Sequence, residues 1–265
     1  MDHNGRPGPR LACREVIFEG GRVRLVSILT TRSDESGTML EKFAEKGLRA
    51  IVLDAVGTLI DADPSVSAVY AEVARRQGVV IDAATIRTRF PGAFHAVFQV
   101  STPDGLATDE ATEKRCWRKV VSEVLREVPD SARAFEELWD HFAQPESWRT
   151  FPDVRPVMEA IQAAGLMVRI GSNFDARLRP VIAGLPDLEA LRDSLVISSE
   201  VGRRKPHELF YKAACADLGV AASQVLFVGD DIENDLEGPQ RAGLKALLIN
   251  RGPQGMGLRA LLTTC

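Results

Sequence analysis

The chain has 265 residues, enough for one large domain or a domain with an insertion, and its 45% hydrophobic content can fill a substantial core. A formal net charge of -4, with acids and bases interspersed, argues against a nucleic-acid footprint, and no apolar run approaches the ~20 residues of a membrane span. Cys13, Cys116, Cys215 and Cys265 form no CxxC pair, which argues against a zinc site or a disulfide framework and for reduced thiols in a cytoplasmic protein.

Residues 1–48 differ in composition from the rest of the chain. "MDHNGRPGPR" is rich in Gly, Pro and Arg and reads as disordered, while "EVIFEGGRVRLVSILTT" has the pattern of a hairpin around Gly20–Gly21. That stretch is too short for a signal peptide, carries Arg24 and lacks a small-residue cleavage site. The favoured reading is an over-long gene start, with Met39 as the initiator just ahead of "LEKFAEKGLRAIVLDAVGTLI". Residues 49–63 then open an α/β core: Ile51, Val52 and Leu53 suit a central strand that ends abruptly on Asp54.

Residues 64–146 are helical in pattern. Val66, Val69, Tyr70 and Val73 recur at helical spacing, as do Cys116, Trp117, Val120, Val121, Val124 and Leu125. Phe135, Leu138, Trp139 and Phe142 predict another helix, capped by Asp130 or Ser131. This is the pattern of a small helical bundle inserted after the first strand, with Trp117, Trp139 and Trp148 as packing residues.

From residue 147 to 265 helix and strand alternate. "DVRPVMEAIQAAG" predicts an amphipathic helix and "LMVRIGS" a strand; a helix is expected from Phe174, then the strand "SLVISS" and a helix from Pro206 to Leu218. "QVLFVGD" and "KALLIN" are further strands, separated by the mostly helical "ENDLEGPQRAG". Short apolar strands alternating with helices predict a Rossmann-like parallel sheet with helices on both faces, a three-layer α/β fold carrying the helical bundle as a cap.

Ligands of such a sheet bind beyond the carboxyl ends of its strands. The residues there are Asp54, Ser172–Asn173, and Gly229–Asp230–Asp231, with Asp235 one helical turn further and Lys205 in "EVGRRKP". Three converging carboxylates repel one another unless a cation sits among them, and hard oxygen donors suit Mg²⁺. A lysine and a hydroxyl beside them make a pocket for a phosphoryl group. Arg203 and Arg204 read as a solvated charge run with only Lys205 aimed inward, and Asp175 as a first-turn helix acid. His95, His141 and His207 stand apart from the strand ends.

Taken in order, "DAVGT", "GSNFD", "RRKP" and "GDDIEND" resemble the four motifs of the haloacid dehalogenase-like hydrolase superfamily, subfamily I, with its C1-type helical cap. The resemblance implies Asp54 as a nucleophile that forms an aspartyl-phosphate, and Ser172, Asn173 and Lys205 as phosphate-binding groups, Ser172 and Lys205 also acting in catalysis. It implies Mg²⁺ held by Asp54, Asp230, Asp235 and the backbone carbonyl of Val56, with Asp231 as a further ligand or a partner of one. Thr58 is expected to fix the turn. The implied partner is a small phosphorylated metabolite, for a protein that is a monomer or a dimer and binds neither nucleic acid nor membrane. One position departs from the pattern: Val56 stands where phosphatases of this family carry a general-acid aspartate. Two alternatives arise from it, a metal-independent 2-haloacid dehalogenase-type hydrolase and a catalytically impaired descendant that binds a ligand or partner.

Overall fold

The computed structural model describes residues 14–19, 22–27, 38–98 and 103–263. The Gly- and Pro-rich start, Gly20–Gly21, Cys13 and Cys265 lie outside them, whereas Cys116 and Cys215 are free thiols, the second buried. Two strands, β1 (Arg14–Glu19) and β2 (Arg22–Ser27), pair antiparallel with Arg14 opposite Ser27. Helix α1 (Met39–Glu45) comes next, opened by a capping box in which Thr38 and Glu41 exchange side-chain and backbone bonds. Leu40 and Leu48 are fully buried in the main core, so packed structure begins ahead of Arg49.

The core sheet has five parallel strands in the order β7 (Leu195–Ile197), β6 (Met167–Ser172), β3 (Ala50–Leu53), β8 (Val225–Gly229), β9 (Lys245–Leu248). Alternation along β3 explains the three layers. Ile51 and Leu53 face one core with α1, α6 (Val154–Ala163) and α7 (Leu178–Gly184). Ala50 and Val52 face another with α9 (Glu208–Leu218). Short helices α8 (Ser198–Val201) and α10 (Gly238–Arg241) complete the connections. Because β6 and β7 extend the sheet to one side of β3 and β8 and β9 to the other, the connections diverge at the C-terminal ends of β3 and β8. The crevice for a ligand lies there.

The chain leaves and re-enters this core through two short antiparallel strands, β4 (Ile60–Ala62) and β5 (Trp148–Thr150), which a purely helical insertion would lack. Between them lie α2 (Val66–Arg76), α3 (Ala83–Phe98), α4 (Glu110–Val124) and α5 (Ser131–His141). These helices have their own buried cluster, including Tyr70, Ile86, Val121 and Phe135. Asp130 is the α5 cap, accepting the Arg133 N–H at 2.9 Å. Trp117 packs among Phe90, Phe94 and Phe98 inside the bundle, whereas Trp148 joins the main core and meets Phe174 edge-on. Among the described residues no helix is long and apolar enough to cross a membrane.

Candidate active site

β3 runs straight into the site. The Asp54 N–H still pairs with the Val228 carbonyl at 2.9 Å, so the carboxylate leaves from the last sheet-bonded position. The chain then turns back tightly: the Ala55 carbonyl takes the N–H groups of Thr58, Leu59 and Ile60. Gly57 has φ +85°, a conformation that favours glycine, and a Cβ there would also lie 2.5 Å from Asp230 Oδ2. The bridge between Val56 and Ile60 is made by the Ala55 carbonyl and the Gly57 N–H, so the Val56 carbonyl takes no part in it. Val56 is 40% exposed, an apolar residue at the edge of an acidic site.

Carboxylate oxygens of Asp54, Asp230 and Asp235 lie within 4.8 Å of one another. Lys205 Nζ sits among them, donating to Asp54 Oδ1 and to Asp235 Oδ1, each at 2.7 Å, and to the Gly171 carbonyl at 3.2 Å. Asp54, Lys205 and Asp235 are all buried. Burial pushes the Asp54 pKa up; Lys205 opposes this and the neighbouring carboxylates add to it, leaving it at about 7. Asp230 is likewise raised, by burial and then by Asp235. Burial alone would lower Lys205, but Asp235 and Asp54 outweigh it and hold the ammonium above its usual value.

The lysine is set from its backbone. Asn173 is clamped on that backbone, its Nδ2 donating to the Lys205 carbonyl at 3.0 Å and its Oδ1 accepting the Lys205 N–H at 2.7 Å. The Asn173 side chain is thereby committed to the Lys205 backbone. Ser172 ends β6, buried on the same sheet edge. Thr58, fully buried, donates to Asp230 Oδ1 at 3.3 Å. Asp231 lies outside the carboxylate group: it is exposed and accepts the Asn234 N–H at 2.8 Å, capping a π-type turn over Ile232–Glu237. That turn brings Asp235 back over Gly229, and Tyr211 steadies it with a hydrogen bond to the Asn234 carbonyl at 2.6 Å.

Two expectations are corrected. Helix α7 starts at Leu178, not Phe174, so Asp175 is not a first-turn acid. It is fully buried and ion-paired to Arg177 at 2.7 Å, and the next N–H, of Ala176, is taken by Glu110 of the cap. Arg204 is not part of a solvated run either. It is buried, ion-paired to the buried Glu113 of α4 and stacked 4.3 Å from the Phe98 ring centroid.

These contacts join cap to core, and sequence reading does not find them. A short antiparallel bridge pairs Ala107 with Arg203, and Thr108 donates to Glu113 at 2.6 Å. Arg177 lies 3.4 Å from the Trp139 ring centroid and donates to the Trp139 carbonyl. No local signal marks these pairs; Glu113 and Arg204 are 91 positions apart.

The family model described as haloacid dehalogenase-like hydrolase matches residues 48–243. The mouse haloacid dehalogenase-like hydrolase domain-containing protein 3 is 28% identical over 207 residues, covering 76% of this chain and 82% of its own. The N-acetylmuramic acid 6-phosphate phosphatase of Pseudomonas aeruginosa is 28% identical, covering 77% of this chain and 83% of its own. A solved dehalogenase structure is similar with a TM-score of 0.61 at 25% identity, covering 78% of this chain and 86% of that one. The aspartate at the end of the central strand and the buried lysine that bridges it to a second acid thus belong to a chain of the haloacid dehalogenase-like hydrolase family.

Proposed function

We propose that the protein is a Mg²⁺-dependent phosphomonoesterase acting on a small phosphorylated metabolite, with Asp54 as nucleophile. The observation that supports it is the clustering of three carboxylates, Asp54, Asp230 and Asp235, of which one ammonium, Lys205, pairs with two. Three carboxylates against one ammonium leave excess negative charge there, and burial first, then the crowding of acids, raises Asp54 and Asp230. A hard divalent cation relieves it. Asp54, Asp230, Asp235 and the Val56 carbonyl would hold the ion, which when bound neutralises phosphoryl charge. Asp231 serves as the turn's cap.

The chain's own groups do the rest. An Asp54 oxygen attacks phosphorus, the bond to the leaving oxygen breaks, and water then hydrolyses the aspartyl-phosphate. Lys205 stays protonated and balances the charge, while the Ser172 hydroxyl and the Asn173 backbone N–H bind phosphoryl oxygens. Val56 can neither donate a proton to the leaving oxygen nor activate water, and such help is typically worth ~10²–10⁴-fold. The substrates this site handles best are therefore those whose leaving oxygen departs as a stable anion. Val56→Asp is expected to raise alkyl-phosphate turnover by roughly 10-fold or more, with less gain on an aryl phosphate. A neutral or harmful result, with brisk alkyl-phosphate turnover in the unaltered protein, would show that another group supplies the proton.

A dehalogenase-type reading is favoured by the apolar Val56 and by the similar dehalogenase structure. It leaves the Asp230–Asp235 pair without a purpose, since displacing halide needs no cation. Phosphate release and halide release, each with and without EDTA, separate the two readings. EDTA-sensitive phosphate release is expected; EDTA-insensitive halide release would overturn the proposal. Binding of a phosphate ester without turnover would favour an impaired descendant. Mg²⁺ at 100 times its Kd should stabilise the fold by about 2.7 kcal/mol, seen as a thermal shift that Asp230→Ala or Asp235→Ala removes.

A further inference from the structure

Arg251 lies just past the last strand, beyond the stretch that the family model matches. One terminal nitrogen donates to both carboxylate oxygens of Asp153, each at 2.7 Å, and the other donates to the Thr58 carbonyl. The guanidinium also lies 4.0 Å from the Phe151 ring centroid. Asp153 in turn accepts the Leu258 N–H at 2.7 Å; it stands just ahead of α6 but makes no side-chain cap bond there. A buried acid that could cap a helix is thus used to orient an arginine. The arginine grips the backbone of the turn whose Thr58 hydroxyl holds Asp230.

We propose that Arg251 is a positioning residue for the metal-binding carboxylate Asp230, acting through Thr58. It sets where the Thr58 hydroxyl stands, and so where Asp230 presents its oxygens, without touching substrate. The inference rests on the metal-site reading above.

Arg251→Lys is the informative variant. An ammonium can keep a charge beside Asp153, but as a point charge it cannot reproduce the planar fork that reaches Asp153 and the Thr58 carbonyl together. Mg²⁺ titration calorimetry on the intact protein should show a Kd weakened about 10–100-fold, the usual effect of losing a partner behind a metal ligand. Thr58→Val should weaken it similarly, and the Thr58→Val, Arg251→Lys double variant no further than the weaker-binding single. Circular dichroism establishes that each variant is folded; if Arg251→Lys is not, Asp153→Asn with Arg251→Met, which removes the buried charge pair together, replaces it with the same expectation. A variant Kd within twofold of the unaltered protein, or additive losses in the double variant, would overturn the positioning role while leaving the metal reading intact. An unaltered protein that binds no Mg²⁺ would remove the metal reading and this inference with it.

Discussion

Asp54→Asn should lower turnover by roughly 10⁴–10⁶-fold, the scale on which enzymes lose rate when a covalent nucleophile is removed. The same variant should fold at least as stably as the unaltered protein when metal is withheld. Asn keeps the shape and can still accept from Lys205, but it removes one of three crowded carboxylates. The sign comes from the pKa of Asp54. Raised from 3.8 to about 7, it makes the folded state bind the proton more tightly than the unfolded state. Metal-free stability from this group is therefore fully present below about pH 4 and is lost as pH rises through about 7. Denaturant titrations between pH 4 and 8 should show that decline shallower in Asp54→Asn. Loss of activity together with loss of fold would instead make Asp54 a structural acid.

Arg204→Met should destabilise the protein by about 3–5 kcal/mol, because it strands Glu113 as a buried carboxylate with the Thr108 hydroxyl as its remaining partner among the described residues. Replacing both partners, Glu113→Leu with Arg204→Met, should recover most of that loss, since paired removal leaves no buried charge behind. Urea midpoints on the two single variants and the double decide it, and equal losses in Arg204→Met and the double would mean that shape, not charge, is what the pair provides. Activity carries separate information. Arg204 precedes Lys205 directly, so a cap that no longer grips Arg204 also releases one end of the segment that aims the Lys205 ammonium at Asp54. The double variant is expected to fold yet turn over more slowly.

The sequence reveals the site where chemistry depends on strand ends, and conceals it where two distant segments meet. Ile51–Val52–Leu53 ahead of Asp54 is legible because a buried parallel strand must be apolar until it emerges, and its carboxyl end is where a ligand can sit. Asp230 emerges in the same way from β8, and the turn that follows carries Asp235 back to it. Arg204 is hidden because Arg-Arg-Lys looks like a surface run, and its acid belongs to a helix on the other side of the insertion. The start of α7 is hidden for a similar reason: Asn173–Phe174–Asp175 has the look of a helix opening, but Lys205 and Glu110 take the groups that would have made one. The use of Asn173 as a backbone clamp is equally invisible, since an amide serves a phosphate or a peptide alike.

Gly57 and Gly229 have no side chain to bring to a reaction, yet each leaves the gap into which an aspartate fits: Asp230 against the first, Asp235 against the second. A saturation scan scored by activity will therefore mark both glycines as nearly as intolerant as the acids they face. Alanine at Gly57 fails on two counts, its backbone angle and its collision with Asp230. Alanine at Gly229 fails on one, its collision with Asp235. Libraries built to retune this enzyme should hold the two glycines fixed and place their diversity at Val56 and in the cap.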